Sequence, residues 1–414
     1  MRVRACAFAA IAFLAIQIPR GEAVLPAAQA AARIAPRPPG RVEGRVHSYQ
    51  DDNRLYVTSA SAGLEHPLFA GLSLRARAVA DWIAIAAGEN AAAPADPHAG
   101  HAGHEHAEED DNPILADAVS GASARISSAS ANSRETRVEG VLGLALRKRL
   151  GNTPVTFTAE ARASHEPDYS SWAGTLAGQA DLFRGNATVT AFLGAGRDEI
   201  SPAVAPAGQA GGWPAAQSKV SGGFSLAQSA TPRLLLSAGA SAALQTGRLS
   251  SPYRNSLVGI TYFPERLPGE RLRGTAFLQA SWYLGRGTAL HVRQGAYADD
   301  WGVTAWIPET ALAREFGPRT LATLKHRFYA QSPADFHRTV YPDRRGFRSG
   351  DLRLGTLYDQ TGAALLEYRV VPGTGAGGPV VLALEYAFSR LEYPDLGARA
   401  LLSHILSAGV RAEY

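Results

Sequence analysis

The sequence has almost no cysteine, since Cys6 is the only one in 414 residues. Cys6 falls within residues 1–23, which we interpret as a signal peptide, so the exported chain is expected to have neither disulfides nor cysteine catalysis. After residue 20 no apolar run approaches the ~18 residues that a membrane-spanning helix needs. Motifs of serine hydrolases, zinc proteases and phosphate-binding loops are missing as well. The sequence therefore excludes a helical membrane protein and predicts that the chain is not an enzyme.

The first residues indicate export. Arg2 and Arg4 precede the apolar residues 5–18, and Gly21-Glu22-Ala23 offers a cleavage site with small residues. Residues 24–40 are rich in alanine and proline, which predicts a disordered periplasmic lead-in. The formal net charge is only +4 and the basic residues are scattered, which argues against a nucleic-acid partner.

From residue 41 onward, apolar and polar side chains alternate. In residues 271–284 the even positions include Leu272, Leu278 and Trp282, whereas the odd positions carry arginine, threonine, glutamine or serine. Successive side chains of a β-strand point to opposite faces of the sheet, so each such segment has one apolar and one polar face. We delimit about sixteen segments of this kind, an even number as bacterial outer-membrane barrels have. They are residues 41–50, 54–66, 68–86, 133–150, 153–167, 170–184, 186–199, 216–229, 232–248, 271–284, 287–299, 301–316, 319–332, 348–370, 379–391 and 401–414.

The connections between the segments are of two kinds. Short turns such as Gly151-Asn152 and Gly317-Pro318 alternate with long polar stretches at residues 87–132, 199–215, 249–270 and 332–347. Short periplasmic turns and long external loops are typical of an outer-membrane barrel. We therefore predict an all-β fold over residues 41–414, a transmembrane antiparallel β-barrel of about sixteen strands in the bacterial outer membrane.

Two other folds would also give alternating strands. A soluble β-sandwich has strands of about 5–6 residues, whereas these segments approach the ~9–11 residues that cross a tilted bilayer. A β-solenoid would repeat every ~20–50 residues, and we find no such repeat. The last segment is amphipathic and ends on the aromatic residue Tyr414, which resembles the signal read by the barrel-assembly machinery. Outer-membrane lipid and that machinery are thus the expected partners.

Five short segments occur in an order that resembles a known bacterial family. They are Ser120-Gly121-Ala122-Ser123, Glu166-Pro167-Asp168-Tyr169, Ser251-Pro252-Tyr253-Arg254, Asp299-Asp300-Trp301-Gly302 and Gln331-Ser332-Pro333-Ala334-Asp335-Phe336. Together they are similar to the family catalogued as domain of unknown function 3570. The resemblance implies an outer-membrane barrel without an established activity. It also implies a redox or metal-handling setting, since members are often encoded near flavin-transferring and thioredoxin-like exported proteins, so a periplasmic redox protein is a candidate partner.

A histidine-rich stretch enlarges the predicted external loop 87–132. Neutral imidazole is a good ligand for Zn²⁺, Cu²⁺ or Ni²⁺, and neighbouring carboxylates raise the local cation concentration. The pattern predicts weak, exchangeable binding of one of these metals, although a solvated low-complexity loop would have the same composition. The candidate ligands are His98, His101, His104, Glu105, His106, Glu108, Glu109, Asp110 and Asp111.

Two further groups of residues are candidates for function. Charged side chains on the polar faces predict either a lumen that selects anionic solutes or a plugged interior whose charges neutralise each other. These lumen candidates are Arg75, Arg77, Glu160, Arg162, Arg271, Arg273, Arg293, Lys325, Arg327 and Glu385. Carboxylates at external turns could bind a cation at the barrel rim, or could be ordinary turn formers. The rim candidates are Asp299, Asp300, Trp301 and Asp335, and we expect Trp301 and Trp306 in an interfacial aromatic girdle.

The leading hypothesis is a barrel for solute or metal-ion passage with a metal-gathering surface loop. The first alternative is a non-conducting barrel that scaffolds an exported redox partner. The second is a soluble periplasmic β-protein.

Overall fold

The computed structural model describes residues 40–52, 55–69, 71–86, 132–202, 213–371, 378–396 and 400–414. The predicted signal peptide, most of the lead-in and the histidine-rich residues 98–111 lie outside these ranges. Among the described residues, no helix has the length and apolar character required to cross a membrane.

Eighteen β-strands make up most of the described chain. They are β1 (Arg41–Asp51), β2 (Leu55–Phe69), β3 (Leu72–Ala86), β4 (Asn132–Leu150), β5 (Thr153–Glu166), β6 (Tyr169–Leu182), β7 (Ala187–Ile200), β8 (Ala215–Thr231), β9 (Leu234–Gly247), β10 (Asn255–Val258), β11 (Thr261–Pro264), β12 (Glu270–Gly285), β13 (Thr288–Asp299), β14 (Thr304–Phe316), β15 (Thr320–Gln331), β16 (Leu357–Val371), β17 (Val380–Glu392) and β18 (Ala400–Glu413).

All strands except β10 and β11 form one closed antiparallel barrel. Each barrel strand pairs with its neighbours along the chain, and β9 pairs with β12 across the separate β10–β11 hairpin. The barrel closes where β1 pairs with β18, from Arg41 opposite Glu413 to Asp51 opposite Ser403. The predicted fold class, a transmembrane antiparallel barrel of about sixteen strands, is confirmed.

The alternation of the sequence separates the outside of the barrel from its inside. On β12, Leu278 is 51% exposed and Trp282 is 53% exposed on one face. Ser281, on the opposite face, is buried. The same pattern recurs on the other barrel strands, with leucine, valine and aromatic side chains exposed on the outer surface. Such an apolar outer wall suits a bilayer, since backbone polar groups are satisfied between strands and lipid meets only side chains.

The two ends of the barrel differ. One end carries the predicted short turns, at residues 151–152, 232–233, 286–287 and 317–319. The first and last described residues meet at the same end, where Gly40 N donates to Tyr414 O at 2.8 Å. At the opposite end lie the strand ends that flank residues 87–131 and 201–214, the loops 248–269 and 332–356, and the short connections 167–168 and 300–303. The predicted arrangement of short periplasmic turns and long external loops is thus confirmed.

Three of the predicted strand limits and one predicted loop were wrong. The segment 68–86 begins as a strand only at Leu72, because β2 extends to Phe69. The segment 348–370 is a strand only from Leu357, because the Asp351 side chain accepts a hydrogen bond from Arg353 N and starts a short 3₁₀ turn there. The segment 301–316 begins as a strand at Thr304, after a tight turn. The predicted loop 249–270 contains the hairpin β10–β11, whose four-residue strands are too short to show a period of two.

Candidate functional site

The predicted lumen residues all fall on inward positions of their strands. Five of the basic ones form ion pairs with carboxylates. The distances between charged groups are Arg75–Glu160 3.8 Å, Arg162–Glu139 2.5 Å, Arg271–Asp299 2.6 Å, Lys325–Glu385 3.1 Å and Arg327–Asp359 3.6 Å. Arg293 lies over the ring of Phe277, 4.2 Å from its centroid, and Arg77 and Arg273 occupy the same inward face. These contacts favour an interior whose wall charges neutralise each other over one that is biased toward anions.

Solvent access changes along the barrel axis. Near the short-turn end of β3 and at the middle of β5, the inward side chains of Arg75 and Glu160 are 36% and 38% exposed. Near the external end, the side chains of Lys219 and Asp198 form an ion pair of 2.6 Å and are only 3% and 1% exposed. These inward charged groups are therefore less accessible to solvent near the external end.

Two loops at the external end, residues 248–269 and 332–356, bond to each other, and we call them the external cap. The loops are joined by backbone hydrogen bonds in both directions between Arg266 and Arg348, at 2.9 and 2.8 Å. Tyr341 N also donates to Leu257 O at 2.8 Å. These bonds connect a loop anchored on β9 and β12 with a loop anchored on β15 and β16.

A buried polar network holds the cap together. The Arg254 guanidinium lies 2.9 Å from Asp351 and 3.6 Å from Glu265. Glu265 also accepts hydrogen bonds from the Ser349 hydroxyl and from Ser251 N. Burial raises the pKa of the Glu265 carboxyl above its ordinary value, although the positive charge of Arg254 opposes this shift. Such a network is costly to break on one side only, because a buried charge is then left without its partner.

The sequence did not identify Glu265, Ser349 or Asp351 as functional, and it named Arg254 only through the family resemblance. Glu265 lies in a segment that was predicted to be a loop, and Ser349 and Asp351 lie in one that was predicted to be a strand. Their signal is the combination of buried serine and carboxylate side chains that pair across two loops, which requires the fold to be known.

Two of the predicted rim carboxylates, Asp299 and Asp300, accept hydrogen bonds from the protein's own groups. Asp299 accepts hydrogen bonds from the Arg271 side chain, from the Tyr297 hydroxyl and from the backbone N of Trp301 and Val303. Asp300 accepts from Leu272 N at 3.0 Å. Within the described ranges, no group of three or more histidine, cysteine, aspartate or glutamate side chains is arranged to hold a metal ion.

Trp301 does not belong to the aromatic girdle that we expected. Its side chain is buried with Val303, Ala334 and Leu354, and its Nε1 donates to Glu270 O at 2.8 Å. Phe336 packs edge-on against the ring of Trp301. Next to Trp301, the turn at Gly302 lies directly against the side chain of Asp335, in the same segment as Phe336. Trp306, by contrast, is 54% exposed on the outer face, where a girdle residue lies.

Below the cap lies a cavity of about 100 Å³. Wall residues of β6, β8 and β9 line one side, and cap residues line the other. Four of the five segments that carry the family resemblance meet around this cavity. Asp168, Tyr253, Arg254 and Trp301 line it, and Phe336 packs on Trp301. Segments that are far apart in the sequence thus build one site at the external end.

His291, His326 and His404 lie on three different strands and do not form a site together. His291 points inward and shares a hydrogen bond of 2.8 Å with the Ser281 hydroxyl. His404 lies on the outer face, where its ring contacts Tyr386 and Phe388. His326 is exposed on an outward position as well.

A family model described as "Protein of unknown function (DUF3570)" matches residues 3–377. No curated protein matches. Among solved structures, a bacterial polysaccharide outer membrane secretin shares 8% identity at a TM-score of 0.49, covering 92% of this chain and 100% of that one. A mutant of the ferric enterobactin receptor from Pseudomonas aeruginosa shares 14% identity at a TM-score of 0.42, covering 86% of this chain and 54% of that one, so the chain spans about half of that receptor.

The outer membrane protein opdK from Pseudomonas aeruginosa shares 9% identity at a TM-score of 0.39, covering 91% of this chain and 98% of that one. At these values the likeness to solved structures carries no argument about function. The function must be inferred from the geometry.

Proposed function

Since the chain belongs to the family "Protein of unknown function (DUF3570)", we propose from its geometry that it is a gated passage for small polar solutes across the outer membrane. The external cap is the gate in this proposal. The observation that carries it is the change along the axis, from half-exposed Arg75 and Glu160 to the buried Arg254 and Glu265 of the cap.

The construction of the cap supports a gate more than a permanent plug. Loops 248–269 and 332–356 are held to each other by ion pairs and hydrogen bonds, and Arg254 and Ser349 belong to this polar interface. A polar interface can be exchanged for water when the loops separate, whereas a packed apolar core cannot. An apolar cluster joins the loops as well, since Leu249 and Leu267 pack against Trp301 and Leu354.

The alternative of a non-conducting barrel that scaffolds a redox partner makes a different prediction. In such a barrel the cap would close the interior permanently, and its weakening would produce no current. The soluble periplasmic protein is disfavoured by the outer wall, where Leu278 and Trp282 are half exposed.

Single-channel recording from the full-length protein in planar bilayers tests the proposal. We expect the wild-type protein to be closed most of the time, with brief openings. The variant Glu265→Gln removes the carboxylate that lies 3.6 Å from Arg254, while Asp351 still pairs with Arg254 at 2.9 Å. Hydrogen bonds to charged groups contribute about 1.5–3 kcal/mol, so we expect the open probability to rise by about 10-fold or more.

Glu392→Gln is the matched control, because it removes the same charge from an exposed pair with Arg390 outside the cap. Its open probability should equal that of the wild-type protein, since exposed ion pairs contribute little. Silence of both the wild-type protein and Glu265→Gln under all voltages would reject the passage and favour the scaffold.

We also propose that the predicted ligands His98, His101, His104 and His106 gather Zn²⁺, Cu²⁺ or Ni²⁺ at the surface. Calorimetric titration of the full-length protein with Zn²⁺ should give heat that is lost when these four histidines are replaced by asparagine. Equal heats from both proteins would reject this role.

A further inference from the structure

The periplasmic end of the barrel carries an excess of positive charge. Nine basic and two acidic side chains lie in six segments at this end, residues 147–152, 181–187, 229–234, 284–288, 314–320 and 368–371. The whole chain has a formal net charge of only +4, so these segments are more positive than the protein as a whole. We call the nine basic residues the basic belt, and they are Arg147, Lys148, Arg149, Arg184, Arg233, Arg286, Arg314, Arg319 and Arg369.

The charges of the basic belt are not neutralised by the protein itself. All nine residues are exposed, and within the described ranges none of them forms an ion pair. The basic side chains of the barrel interior differ, since Arg162, Arg271 and Lys325 pair with carboxylates. The positive charge of the belt is therefore available to an anionic partner outside the barrel.

The basic belt follows the circumference of the barrel. Its members lie on strand ends and turns from β4 to β16, which is eleven of the sixteen barrel strands. Lys148 and Arg314 share the outward faces of their strands with exposed Leu144 and Leu312. They thus face the surroundings of the barrel and not its mouth. A partner that surrounds the barrel contacts such a belt fully, whereas a soluble protein docked at the mouth does not.

The basic belt coincides with the edge of the apolar outer wall. Leu150, Phe183, Leu284 and Phe316 are exposed beside it, and Phe183 at a turn is 77% exposed. The guanidinium of Arg314 lies 5.4 Å from the centroid of the Phe316 ring. Aromatic side chains beside arginines are typical of the membrane–water interface, where the rings lie at headgroup level and the cations reach the polar groups. The apolar neighbours therefore favour a lipid surface over an acidic soluble protein.

We propose that the basic belt binds the phosphate groups of anionic phospholipids in the leaflet at the periplasmic end. A guanidinium donates two parallel hydrogen bonds to a phosphate, and the belt presents eight guanidinium groups. The belt enriches anionic lipid around this end and fixes the depth of the barrel in the membrane. This role is independent of whether the barrel conducts.

Electron paramagnetic resonance of spin-labelled lipids tests the proposal. The full-length protein is reconstituted in phosphatidylcholine vesicles that contain a trace of spin-labelled phosphatidylglycerol or phosphatidylcholine. The fraction of each label that is immobilised at the barrel gives the preference for the anionic lipid. A basic side chain near an anionic lipid should favour it about 5-fold. Because only one of the two leaflets touches the belt, we expect an average preference of about 3-fold at low salt.

High salt and a belt variant should both reduce this preference. At about 1 M salt the Debye length is ~3 Å, so the preference should fall to about 1. The belt variant should fall to about 2-fold or less at low salt, since most of the guanidinium groups are gone. It carries Arg184→Gln, Arg233→Gln, Arg286→Gln, Arg314→Gln and Arg319→Gln.

The matched control removes the same number of charges from exposed residues at the external end. It should keep the wild-type preference of about 3-fold, because these positions are far from the belt. The control carries Arg197→Gln, Arg338→Gln, Arg344→Gln, Arg345→Gln and Arg390→Gln.

Two results would overturn the proposal. If the wild-type protein shows no preference at low salt, anionic lipid is not the partner, and an acidic periplasmic protein takes its place. If the belt variant and the control variant lose the preference equally, the net charge of the protein and not the belt is its source. Should the belt variant not fold, the wild-type protein at low and high salt and the control variant decide together, and a preference that persists at high salt or is lost in the control rejects the belt.

Discussion

Arg254 in one external loop and Asp351 in another form an ion pair of 2.9 Å that is almost inaccessible to solvent. One loop lies between β9 and β12 and the other between β15 and β16, so they are four strand positions apart around the sixteen-strand barrel. This ion pair is one of several bonds that connect the two loops of the cap. Asp351 is also the partner of Arg353, so one carboxylate neutralises two guanidinium groups.

The first prediction concerns this carboxylate. Asp351→Asn removes the charge that Arg254 and Arg353 share, and we expect the cap to lose about 3–5 kcal/mol of stability relative to its open state. Hydrogen exchange of the backbone amides in residues 248–269 should accelerate accordingly, while the barrel strands keep their protection. Asp343→Asn, at an exposed position of the same loop, is the control and should exchange like the wild-type protein. Unchanged exchange in Asp351→Asn would mean that the ion pair does not hold the cap.

The second prediction concerns pH. Burial lowers the pKa of His337, a cap residue, below its ordinary value of 6.5, with Asp395 and Asp351 opposing the shift and Arg338 adding to it. The open cap then binds a proton more readily than the closed cap, so the closed state loses stability as the pH falls below about 6.5. One unit below that value the open population should rise by up to about 10-fold.

Limited proteolysis of the cap between pH 7.5 and pH 5.5 measures this effect. The rate of cleavage should rise toward low pH in the wild-type protein and should rise less in His337→Gln. His66→Gln, at the opposite end of the barrel near Tyr414, is the control for the pH dependence of the protease. Parallel curves for all three proteins would exclude His337 as the source.

The third prediction concerns the wall. Leu278 faces outward and Gln279 faces inward on β12. Leu278→Arg places a charge in lipid and should cost about 2–4 kcal/mol near the midplane of the bilayer. Gln279→Arg places the same charge in the wet interior and should fold nearly as well as the wild-type protein. The yield of folding into lipid vesicles compares them, and equal yields would contradict the assignment of the two faces.

Much of the barrel was predictable because its physics is local. Alternation along β12 separates Leu278 from Gln279 without knowledge of any other strand, and glycine-containing turns mark the strand ends. The same reasoning placed the start of β16 too early, at residue 348, because residues 348–356 also mix apolar and polar side chains. What ends the strand at Leu357 is the turn capped by Asp351, a bond between a side chain and a nearby backbone group.

The candidate site was not predictable in the same way. Asp299 and Trp301 were predicted to be rim residues. In the structure Asp299 accepts hydrogen bonds from Arg271, and Trp301 is buried in an apolar cluster. Their roles depend on contacts between segments that are far apart in the sequence, and no period or spacing encodes such contacts. The resemblance to a family indicated the right segments, and only the fold showed that they meet.

The most direct test of the gate is to lock it. Arg266 and Arg348 are joined by backbone hydrogen bonds in both directions, and Cα atoms in such a pair are about 5.5 Å apart, within the range that a disulfide spans. The double variant Arg266→Cys, Arg348→Cys should form a cross-link between the two loops of the cap. We predict that single-channel openings disappear when this protein is oxidised and return when it is reduced. Equal conductance in the oxidised and reduced states would contradict the account.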